Sequence, residues 1–144
     1  MTCSFLRMFR RSNEGTAAIE FALVMPVFLV LLLGILAYGI YFAAAHSTAQ
    51  LAAEAARASV AGLTDSERET IAKASVANNV ANYGVLLDPA KVTVEAAALP
   101  DDVTEFRVAV RYDASLLPIW SFTPFLPLPS DIIEQAAIIK RGGY

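Results

Sequence analysis

Between Glu20 and Glu54 no aspartate, glutamate, lysine or arginine interrupts the chain, and from Phe21 to Ala45 nearly every residue is apolar. A helix needs about 20 such residues to cross the hydrocarbon core of a bilayer, so this run spans one with some tilt to spare. It is apolar on every side, whereas a soluble helix keeps a polar face. The pattern therefore predicts one transmembrane helix. Ala43 to Ala61 continues in strong helix formers without proline or glycine, so the helix is expected to run past the bilayer and stop at Gly62. Pro26 removes one backbone donor inside it and predicts a kink or a loosened turn.

Beyond the helix the periodicity changes. Thr64-Asp65-Ser66-Glu67 has capping-box spacing and opens a second helix to about Asn82, with Ile71, Ala74, Ala77 and Ala81 along its apolar stripe and Gly84 as its end. Val92, Val94 and Ala96 alternate with Thr93 and Glu95. Phe106, Val108, Val110 and Tyr112 alternate with Glu105, Arg107, Ala109 and Arg111. These are two half-buried strands, joined as an antiparallel hairpin by the turn at Leu99-Pro100-Asp101-Asp102. Near Gln135 to Arg141 either a third strand or a helix fits the residues. Packing the sheet on the outer part of the first helix gives a membrane-anchored α+β fold. The organisation is then a basic leader over 1–15, a transmembrane and extended helix over 16–62, and an extracytoplasmic head over 63–144.

Leu116 to Pro129 holds four of the seven prolines together with Trp120, Phe122 and Phe125. Proline forbids a regular central strand here. The aromatics either complete a small core or form an apolar contact with a partner subunit or the membrane surface.

The composition agrees with one small domain and one membrane segment: 144 residues, 56% hydrophobic and 17% charged. Charge sets the orientation. Arg7, Arg10 and Arg11 precede the apolar run and the next cation is Arg57, so the N-terminus is expected in the cytoplasm. From Glu54 onward eight Lys or Arg face twelve Asp or Glu, which offers nucleic acid no basic footprint.

A secretory signal cut at Ala43-Ala44-Ala45 would need a shorter apolar run without Pro26. After Arg10-Arg11, Ser12-Asn13-Glu14 lacks the apolar residues of twin-arginine export. Cys3 is the only cysteine and His46 the only histidine, and neither lies in the head. A zinc site and a Ser-His-Asp set are therefore not expected, and no cofactor or enzymatic activity is predicted. The acidic pair Asp101-Asp102 reads as a solvated turn.

Glu20 breaks the pattern, because an acid at the mouth of a membrane helix is costly. A glycine followed five residues later by glutamate, Gly15-Thr16-Ala17-Ala18-Ile19-Glu20-Phe21, resembles the processing site of the type IV pilin superfamily. The stretch from Gly15 to Gly34, with Ala18, Glu20, Phe21, Ala22 and Pro26, is similar to the opening of TadE-like pseudopilins of the tight-adherence (Flp) pilus system, as is the Ala-rich Gln50 to Val60. The likeness is strong over Gly15 to Val60 and weak over the head. It implies that a prepilin peptidase cuts between Gly15 and Thr16 and leaves Glu20 as the fifth mature residue. The new α-amino group of one subunit would then pair with Glu20 of a neighbour, relieving the cost of burying either charge alone. Other implied partners are pilins and pseudopilins, the inner-membrane assembly platform and the lipid bilayer. The resemblance also favours a strand at the C-terminal end, closing on Lys140-Arg141. A major Flp pilin would be much shorter, usually with tyrosine in place of Phe21, so a minor pilin fits better. The competing class is a membrane-anchored extracytoplasmic binding or scaffold protein unrelated to pili.

Overall fold

The computed structural model describes residues 13–102 and 104–140. Cys3, Arg7, Arg10, Arg11 and Arg141 lie outside the described residues. The chain divides into two compact units, one ending at Leu36 and one beginning at Ala37.

The first unit holds the beginning of helix α1, which spans Asn13–Ser59 and continues unbroken through Pro26. Its apolar side chains point outward on every side: Phe21, Leu23, Val27 and Leu31 are all more than 60% exposed. Among the described residues this is the one helix long and apolar enough to cross a membrane, and its most apolar window has no protein packed on it.

The second unit begins on the same helix with a face of small residues. Ala37, Ala44, Thr48, Leu51, Ala52, Ala55, Ala56 and Ser59 are buried at steps of three, four and seven. Such spacing keeps one stripe inward. The buried hydroxyls need partners, and each finds one a turn back: Ser47 and Thr48 donate to the carbonyls of Ala43 and Ala44 at 2.9 Å, and Ser59 to Ala56 at 2.7 Å.

α1 ends at Ser59, two residues short of the expected Ala61, and a turn carries the chain to Gly62. Gly62 is needed for close approach. A β-carbon there would stand 2.7 Å from Arg68 Cγ and 2.8 Å from the Arg68 nitrogen, and Arg68 Nε donates to the Gly62 carbonyl at 2.9 Å.

Helix α2, Asp65–Asn79, starts as the capping pattern predicts. Thr64 accepts from the Glu67 amide at 3.2 Å, while Glu67 Oε2 accepts from the Leu63 amide at 2.9 Å, one residue earlier than the usual reciprocal bond. A tighter turn, Val80–Tyr83, takes it on to Gly84. The expected stripe of Ile71, Ala74, Ala77 and Ala81 is not the buried one. Ala74, Ala77 and Ala81 face solvent and Ile71 is only half-buried, whereas Ala72, Val76 and Val80 are covered. Two stripes satisfy a 3.6-residue period here, and the one with two valines removes more apolar area from water.

Strands β1 (Val92–Ala98), β2 (Glu105–Asp113) and β3 (Ile132–Lys140) form one antiparallel sheet in the order β1-β2-β3. The hairpin is in the register that sets Val94 against Val110 and Ala96 against Val108. On β2 Phe106, Val108, Val110 and Tyr112 are buried as the alternation predicts, joined by Ala109 from the opposite face. The C-terminal segment is a strand and begins three residues before Gln135. It sets Ile139 beside Phe106 and Ile133 beside Tyr112. On its outer face Glu134 bridges Arg107 and Arg111 at 3.0 and 3.5 Å.

The sheet packs on the outer part of α1, as expected. Ala52, Ala55 and Ala56 meet Phe106, Val108, Val110 and Val76 in one cluster, and Ala44 and Leu51 meet Leu87, Tyr112 and Ile133 in a second. Alanine on the helix lets the large residues of β2 come close to its backbone.

Candidate functional site

Two regions hold the residues singled out above. The first is the start of α1. Gly15, Thr16, Glu20, Phe21 and Pro26 are all helical and exposed. Gly15 and Thr16 lie at the start of the described part of the helix. Glu20 is exposed on the same helix. After it comes an uncharged surface that runs to Ala53.

The second region is the connection from Ala114 to Asp131. Asp113 opens it by accepting from the Ser115 amide and from Lys91 Nζ, both at 3.0 Å. Those contacts, Ser115 first, hold its carboxyl at about 2, below the usual carboxylate range. The chain then makes two tight turns, Ala114–Leu116 and Pro118–Phe122, and the ends are closed by the Ala114 amide donating to the Asp131 carbonyl at 2.7 Å.

The three aromatics of the loop differ in exposure. Trp120 is half-buried; its Nε1 donates to the Ala114 carbonyl at 2.6 Å, and its ring packs on the cluster that contains Ala44 and Tyr41. Phe122 is half-buried, while Phe125 is 70% exposed. The residue that seats the loop is Ile119, fully buried and overlooked in the sequence because it sits among prolines and larger rings. Tyr38 was missed too, although its hydroxyl donates to the Pro127 carbonyl. The signal for it is the group Tyr38, Tyr41 and Phe42 near the far end of the apolar run, where aromatic belts form.

Elsewhere the polar residues hold the fold. Tyr83 donates its hydroxyl to Gln50 and Glu54, both at 3.2 Å, and burial followed by the nearby Glu54 raises its pKa. His46 is exposed and shares a 3.0 Å hydrogen bond with Gln50. Asp102 accepts from the Thr104 amide and hydroxyl and so shapes the turn, with Asp101 exposed beside it.

The model of the TadE-like protein family matches residues 15–57. No curated protein and no solved structure matches the chain. The matched segment includes the Gly15 to Glu20 motif, the whole apolar run and the small-residue face as far as Ala56. Over that segment, less than a third of the chain, the protein is similar to TadE-like proteins.

Proposed function

We propose that the chain is a minor pilin, or pseudopilin, taking part in assembly of a tight-adherence (Flp) type IV pilus. The observation that carries this reading is the TadE-like match over a helix whose most apolar stretch is uncovered. Such a surface needs lipid before assembly and neighbouring helices afterwards. The chain sits in the bacterial inner membrane with its N-terminus cytoplasmic and its head outside, as the arginine bias requires. A prepilin peptidase removes the leader after Gly15, and Glu20 pairs with the α-amino group of Thr16 on a neighbouring pilin or pseudopilin. The assembly platform then draws the helix from the bilayer, and Pro26 eases that step by weakening one turn. The role is structural rather than catalytic, and nucleic acid is not a partner.

The intact mass of the protein recovered from its own host tests this. It should correspond to a chain beginning at Thr16, and Gly15→Leu or loss of the peptidase should leave the longer form. A wild-type protein that still begins at Met1 or Thr2 contradicts the reading and favours a membrane-anchored binding protein.

A further inference from the structure

The buried stripe of the helix begins at Ala37. Ala37 is fully buried, and Tyr38 donates to the Pro127 carbonyl, so the proline-rich connection lies beside this turn of α1. The apolar run starts at Phe21, and about 20 helical residues bring a chain across the hydrocarbon core. The far edge of that core therefore falls near Ile40. The connection is placed at the same level.

Its chemistry suits that level. No charged residue occurs between Asp113 and Asp131. Four prolines remove four backbone donors, and the amides of Leu117, Thr123, Phe125 and Leu126 all bond to carbonyls inside the loop. The prolines and these bonds reduce the number of backbone donors that need water. Leu116 and Phe125 nevertheless stand 63% and 70% exposed. Asp113 at the border is already tied to Lys91.

We propose that the Leu116 to Pro129 loop is a second membrane anchor, lying in the headgroup layer of the extracytoplasmic leaflet with Phe125 and Leu116 against the acyl chains. Tyr38, Tyr41 and Trp120 form its aromatic belt. The anchor fixes the head against the bilayer until the subunit is extracted. It rests on the membrane-spanning part of the proposed function. The loop's neutrality selects lipid of either headgroup charge, in contrast to a basic patch, which would need anionic lipid.

Full-length chain with Cys3→Ser is placed in nanodiscs at one copy each and spin-labelled at Phe125→Cys, with Leu29→Cys inside the span and Thr70→Cys on exposed α2 as references. The ratio of relaxation by oxygen to relaxation by a water-soluble nickel chelate should be several-fold higher at Phe125 than at Thr70, and lower than at Leu29, which lies deeper in the span. Trp120, the only tryptophan, should be quenched by lipids brominated near the headgroup. If the Phe125 label behaves like Thr70 while Leu29 stays in lipid, the loop anchor is wrong and the span stands. A Phe125 label shielded only in vesicles crowded with copies assigns the loop to a second subunit and also overturns it. Water access at Leu29 removes the span and the anchor together.

Discussion

Cells whose only copy carries Glu20→Gln should release the leader nearly as the wild type does and yet display few or no pili. The amide keeps the size of the side chain, so the peptidase meets a similar helix start. What is lost is the negative charge that can meet the α-amino group of a neighbouring Thr16. Removing one partner of a desolvated charge pair costs about 3–5 kcal/mol, because the other charge is left without compensation. At about 1.4 kcal/mol per factor of ten, that weakens each subunit contact by more than a hundredfold. Glu20→Asp keeps the charge on a shorter reach and should give an intermediate number of pili. Normal piliation by a fully processed Glu20→Gln protein refutes the pairing, and Glu20 is then an exposed acid at the helix start.

The second large effect is expected in the head. Phe106 is fully buried and joins Ala52, Ala55 and Ala56 of α1 to Val76 of α2. Phe106→Ala should destabilise the head by about 3–5 kcal/mol, a large part of the roughly 5–15 kcal/mol that holds a small domain folded. For a unit of this size that lowers the melting temperature by more than about 12 °C. Near-ultraviolet circular dichroism of the detergent-solubilised full chain reads the loss. Phe125→Ala, at an exposed position, should change stability by no more than about 0.5 kcal/mol in the same assay. A Phe106→Ala protein that melts within a degree or two of the wild type contradicts the placement of the core.

How far the residues themselves declare this arrangement depends on how many patterns each stretch can satisfy. The long first helix was plain, because an uncharged apolar run of that length has few ways to be satisfied other than as a helix. The capping box at Thr64 and the alternation of β2 were plain as well, since a slip of one residue would turn Phe106, Val108 and Val110 to the outer face. The buried stripe of α2 was misread because an alanine-rich helix offers several faces of nearly equal apolarity. Only the partner surface selects Ala72, Val76 and Val80. Gln135 to Lys140 suits helix or strand locally, and the choice comes from pairing with β2, which no local pattern records. The loop's division into a buried Ile119, a half-buried Trp120 and an exposed Phe125 likewise depends on where the tight turns at Ala114 and Pro118 aim each side chain. For the candidate site, Gly15, Glu20 and the apolar run were legible as a linear motif. Tyr38 was not, because its partner Pro127 is far along the chain.

The most direct measurement is the number of surface pili on a strain from which this gene has been deleted, counted by electron microscopy. The account predicts cells with few or no pili, restored by the wild-type gene supplied in trans. Deletion cells that remain as fully piliated as their parent contradict it.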